Sequence, residues 1–176
     1  ASDVAALRPV DPEESLGAVI EAVRLVRRDL DGRVPLIGFG GAPFTLASYA
    51  VEGRGSRHYV RTKRLMYSDP DAWHDLLGRL AKVMAGYLAA QARAGAQALQ
   101  LFDSWVGCLS PEDYRAYVLP HSRALLQSLS GLGVPVIHFG TGTATLLEAM
   151  REAGGDVIGL DWRIPLDEGW KKAGHD

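Results

Sequence analysis

Apolar residues recur at two spacings along the chain. Leu16, Val19, Ile20, Val23 and Val26 repeat at the helical interval, and so do Trp73, Leu76, Leu77, Leu80, Val83, Met84, Tyr87 and Leu88. Each stripe predicts a helix with one buried face. Asp11 followed by Pro12, Glu13 and Glu14 reads as a cap, a first-turn proline and acids at the positive helix end. Asp69-Pro70 and Ser110-Pro111-Glu112-Asp113 start helices in the same way. Gly32 and Gly95 sit where helices should stop, and Pro120 should kink or split the helix it falls in. Shorter helices are expected over residues 45–51, around Lys63, Leu65 and Met66, over 143–153, and from Pro165 onward.

Between the helices lie short, almost wholly apolar runs at residues 34–39, 98–102, 134–139 and 157–160. A strand that is apolar on both faces belongs in a parallel sheet covered by helices. Doubly wound sheets and (β/α)8 barrels both produce this order. No internal repeat or low-complexity linker interrupts it, so residues 1–176 read as a single domain.

Composition narrows the function. The 176 residues are 47% hydrophobic and 23% charged, ordinary for a globular protein with a core. A net charge of −2 argues against a nucleic-acid partner, which usually demands a basic field. No apolar run is long enough to span a membrane, and the first residues lack a signal peptide's basic-then-apolar order. Cys108 is the single cysteine, so an internal disulfide or a cysteine zinc site is excluded. A cytoplasmic location is expected. The chain opens on Ala1 and ends on Lys171-Lys172-Ala173-Gly174-His175-Asp176, which suggests a piece of a longer protein.

Polar residues follow the strands: Tyr49 beyond the first, Asp103 and Ser104 at the second, His138 near the end of the third, Asp161 after the fourth. Ligands of parallel α/β folds bind at the carboxyl ends of strands, so these residues are expected to share one rim. Each also has a plainer reading. Tyr49 can be a core tyrosine, Asp103 and Asp161 local caps, and His138 a satisfied core histidine. Ser104 lacks a nucleophile elbow around it, and Cys108 lacks an activating partner. Residues 54–64 are strongly basic, either as a solvated face or as a patch attracting an anionic substrate. Gly140-Thr141-Gly142, with Asp161 about 20 residues on, imitates a dinucleotide site. Thr145 stands where its third glycine belongs.

Three stretches carry a resemblance. They are Gly38-Phe39-Gly40-Gly41-Ala42-Pro43-Phe44-Thr45-Leu46 with Tyr49-Ala50-Val51-Glu52-Gly53, then Gly95 to Gly107 through Leu101-Phe102-Asp103-Ser104-Trp105, then Gly159-Leu160-Asp161-Trp162. In order and separation the chain resembles uroporphyrinogen decarboxylase from about Leu7 to Gly174. The resemblance implies a (β/α)8 barrel of which about half is present, truncated at both ends. It implies a homodimer that removes four acetate carboxyls from a tetrapyrrole, uroporphyrinogen, with no metal or organic cofactor. It implies that Tyr49 and Ser104 bind substrate carboxylates and that Phe39 and Phe102 pack against the macrocycle. The family's catalytic aspartate, substrate-binding arginines and site histidine have no counterpart here, so no catalytic residue is assigned. Two alternatives stay open at this point: a cobamide-dependent methyltransferase of the same superfamily, and a nucleotide-binding oxidoreductase.

Overall fold

The computed structural model describes residues 2–174; Ala1, His175 and Asp176, on which part of the expectation about the chain ends rests, lie outside them. Two short helices, α1 (Ser2–Ala5) and α2 (Pro12–Ser15), precede α3 (Gly17–Leu30). Asp11 caps α2 as expected, accepting the Glu13 amide at 2.8 Å. The single helix expected from Asp11 to Gly32 is broken at Leu16, whose φ of −120° and ψ of 23° leave the helical region.

Four βα units follow. Strand β1 (Ile37–Gly41) leads to α4 (Pro43–Glu52) and α5 (Val60–Ser68), then to the long α6 (Pro70–Arg93). Strand β2 (Ala98–Asp103) is followed by α7 (Pro111–Tyr117) and α8 (Leu119–Leu129). Strand β3 (Val136–Gly140) leads to α9 (Leu147–Ala153), and β4 (Val157–Gly159) to α10 (Leu166–Lys172). Pro120 does split its helix, at Val118. The ladder starts later than the apolar runs suggest because Pro35 and Pro135 have no N–H to give. Residues 143–146 form a turn, so α9 is shorter than expected.

All three strand pairings are parallel, and the spatial order is β1-β2-β3-β4. Among the described residues this sequential order has no switch point, the place where a doubly wound sheet would open a dinucleotide crevice. It is the order of a (β/α) barrel wall. Along each strand, side chains alternate between two faces. Gly38, Gly40, Leu99, Leu101, Asp103, Val136 and His138 face the helices and are buried. There they meet Phe44, Met66, Trp73, Leu77, Leu88 and Leu125 in one core. The opposite face carries Ile37, Phe39, Gln100, Phe102, Ile137, Phe139 and Val157, none of them fully buried.

Candidate functional site

The uncovered face is aromatic. Phe39, Phe102 and Phe139, from three neighbouring strands, form a row with 5.7 Å between successive ring centroids, each pair edge-to-face. Register sets the row: Phe102 pairs with Phe139, and Phe39 pairs with Gln100, two residues before Phe102 on the same face. Phe39 is 60% exposed, so a flat apolar ligand could lie against it.

The loops beyond the strand ends converge beside this face. Tyr49, on α4, is exposed and meets the Trp105 ring edge-on at 5.8 Å; it is not the core tyrosine of the plainer reading. Tyr59 meets the same indole at 5.9 Å. Tyr59 holds a left-handed φ of 52°, steadied by the Ser56 hydroxyl oxygen accepting its N–H at 3.0 Å. Glu52 accepts both the Thr62 amide and the Thr62 hydroxyl at 3.0 Å, clamping the start of α5 to the end of α4. The basic loop between them is thereby held at both ends. The two Thr62 bonds and the nearby Arg61 keep the Glu52 carboxyl below its ordinary range, against a smaller upward push from burial.

A cleft of about 300 Å³ opens among these loops, lined by Ser104, Trp105, Tyr59, Arg57, Thr141 and Arg163, among others. It exists because the β2 and β3 loops nearly touch: a Cβ on Gly107 would lie 2.7 Å from the Gly142 carbonyl oxygen. Asp161 accepts the Gly142 amide at 2.7 Å and the Arg163 amide at 3.0 Å, and pairs with the Arg163 guanidinium. Burial pushes its carboxyl upward, but those bonds and the guanidinium outweigh it, so Asp161 titrates below its ordinary value. Asp161 thus caps the loop at the rim, in line with its plainer reading. Burial, above all, pushes the Tyr59 hydroxyl up to about 12, leaving a neutral donor at neutral pH. Cys108 also touches the cleft; burial raises its thiol, against a weaker pull from Lys63, which fits an unreactive cysteine.

Two of the five expected rim residues leave the rim. Asp103 and His138 face the helices and are fully buried, with Oδ2 and Nε2 3.7 Å apart. The alternation that aims Phe102 and Phe139 at the open face aims Asp103 and His138 the other way. Thr45 donates its hydroxyl to Asp103 at 3.4 Å from the start of α4. Tyr49, Ser104 and Asp161 remain at the strand ends. The sequence reading missed Phe139, although it follows His138 by one position and so must take the opposite face. It also missed Tyr59, Trp105 and Arg163, which only loop geometry brings to Ser104. A larger cleft, about 790 Å³, lies between α6 and the segment before α3, and shares no residue with the strand ends.

Fold and site together define a segment of (β/α)8 barrel with an aromatic inner wall and a polar rim at the carboxyl ends of its strands. The family model described as uroporphyrinogen decarboxylase (URO-D) matches residues 1–176. The uroporphyrinogen decarboxylase of Sorangium cellulosum is 61% identical over 170 residues, covering 97% of this chain and 49% of that protein. Its namesake from Carboxydothermus hydrogenoformans is 57% identical over 174 residues, covering 99% of this chain and 50% of that protein. The chain belongs to the uroporphyrinogen decarboxylase family and spans about half the length of these relatives. A methyltransferase from Methanosarcina mazei superposes with a TM-score of 0.81 at 20% identity, covering 94% of this chain and 48% of that one, a likeness of fold alone.

Proposed function

We propose that this chain supplies the central four βα units of a uroporphyrinogen decarboxylase, forming one domain with units on either side. The complete enzyme removes the four acetate carboxyls of uroporphyrinogen III, giving coproporphyrinogen III and carbon dioxide in haem and tetrapyrrole synthesis. It works in the cytoplasm as a homodimer without metal or organic cofactor. Protonation of a pyrrole carbon makes the ring an electron sink, and carbon dioxide then leaves the neighbouring acetate arm. The protein's task is to hold a polyanion and stabilise a cationic intermediate.

One observation carries this reading: an aromatic row and a hydroxyl- and arginine-bearing rim lie at the same ends of the same strands. Phe39 and Phe102 offer a wall for the macrocycle. Ser104 and Tyr49 offer neutral hydroxyl donors to carboxylates. Arg57 adds positive charge beside Ser104, although the whole chain is net negative, while the charge of Arg163 is offset by Asp161. The sharper reading of the basic stretch, a patch for an anionic substrate, is favoured for Arg57.

The test is turnover of uroporphyrinogen under anaerobic conditions by the complete barrel carrying this segment. Coproporphyrinogen is the expected product, and its absence from folded protein would overturn the proposal. The 176 residues alone should be inactive, because the group that protonates the pyrrole lies outside them and the inner wall is open. Turnover by the isolated chain would refute that part.

A further inference from the structure

Strand β1 has β2 on one side and no strand on the other among the described residues. In a parallel ladder the N–H and C=O of one residue point to the same side, and successive residues alternate. Leu36 accepts from Gln97 and Ala42 donates to Phe102, so the even-numbered residues of β1 face β2. The N–H and C=O of Phe39 therefore point to the open edge. A bare pair of this kind is a template for another strand.

At Phe39 the edge is not bare. Gln91 of α6, only 3% exposed, reaches it from the helix layer. Its Nε2 donates to the Phe39 carbonyl at 2.9 Å, and its Oε1 accepts from the Phe39 amide at 3.1 Å. One side-chain amide thus makes both bonds that a neighbouring strand would make. The approach needs Gly38, because a Cβ there would lie 2.9 Å from the same Oε1. A glutamine inside an apolar helix stripe is costly to bury unless its amide is fully engaged, and here donor and acceptor both are.

We infer that Gln91 is a positioning residue for the aromatic wall: its amide replaces a strand at Phe39 and fixes the direction in which the exposed Phe39 ring is held. It also closes the sheet edge to strand addition at that residue. The positioning role rests on the proposed role of Phe39 in facing the tetrapyrrole; the bonding claim itself does not.

The experiment uses the complete barrel carrying this segment and reads hydrogen exchange at the Phe39 amide, with kcat and KM for uroporphyrinogen alongside. Gln91→Met keeps the volume and removes both bonds. Protection of the Phe39 amide should fall by about tenfold or more, and KM should rise several-fold with kcat little changed. Gln91→Glu keeps the shape. Ionised, it sets a carboxylate oxygen against the Phe39 carbonyl and should behave like the methionine variant or worse. Protonated, it restores donor and acceptor, so protection and KM should recover towards wild type as pH falls. General destabilisation would lower protection across the whole barrel, whereas this role lowers it at the Phe39 amide while amides elsewhere keep theirs. Unchanged Phe39 protection in Gln91→Met, or a glutamate variant indifferent to pH, overturns the inference. Should Gln91→Met not fold, the pH response of Gln91→Glu decides alone. If the wild-type barrel does not turn over uroporphyrinogen, the functional reading fails, while the exchange data still judge the bonding.

Discussion

The two faces of the sheet are made by the same strands and share almost nothing else. Towards the helices, Leu99, Leu101 and Val136 are sealed against Phe44, Trp73 and Leu77, and even the polar residues there, Asp103 and His138, are at 0% exposure. Towards the other side, Ile37, Phe39 and Val157 stand roughly half-exposed or more. Stability resides on the first face, and recognition is proposed for the second. A barrel enforces this division, since its helix layer is local in sequence while its interior needs strands from the whole circle. Half a circle completes one face only. The open face and the strand edges beside it should make the isolated chain prone to aggregate.

Truncating each face in turn gives the largest contrast. Leu101→Ala should cost about 2–5 kcal/mol in urea unfolding, whereas Phe39→Ala in this chain should cost under about 1 kcal/mol. Similar losses at both positions would mean that the inner face is packed after all. Tyr49→Phe sharpens the contrast from the functional side. In the complete barrel it should weaken substrate turnover or binding by about 1.5–3 kcal/mol, the worth of a hydrogen bond to a charged group, while stability moves by under about 0.5 kcal/mol. Unchanged kinetics would remove Tyr49 from the site.

A smaller effect belongs to the outer layer. His74 Nδ1 and His121 Nε2 lie 2.8 Å apart between α6 and α8, within hydrogen-bond distance. Burial first, and the neighbouring His74 second, lower His121 to about 4, below the value of about 6.5 expected when unfolded. The unfolded chain therefore binds the proton first, and stability falls as pH drops from about 6.5 towards 4. The pair is only half-buried, so the loss should be about 1–2 kcal/mol, and His121→Gln should flatten it in melts taken across that window. Smallest of all, Ser110→Ala removes the hydroxyl that accepts the Asp113 amide at 3.1 Å and should cost about 1 kcal/mol, with no change in ligand binding.

Much of the architecture was legible from residues alone. The helix stripes, the proline-and-acid starts and the four apolar runs identified every βα unit, because those signals are local. Errors fell where local signals compete, as at Leu16, or where a proline delays a strand, as at Pro35 and Pro135. The site was legible in part. Motif resemblance singled out Tyr49, Ser104, Phe39 and Phe102, yet nothing local separates Phe102, on the open face, from Asp103, buried behind it. Strict alternation tells neighbours apart only once one face is known to be covered. The role of Gln91 is hidden in the sequence for a related reason: a polar residue on an apolar stripe signals an engaged partner, but the partner is 52 positions away in sequence.

By itself, then, the sequence determined which segments are helix and strand, the parallel class of the sheet and the family, because periodicity, caps and motifs act over a few residues. Only the tertiary structure decided which face of each strand is open, which loops meet at Ser104, and that Gln91 closes the edge at Phe39. Those outcomes depend on register and on contacts between distant residues, where a shift of one position would exchange one face for the other.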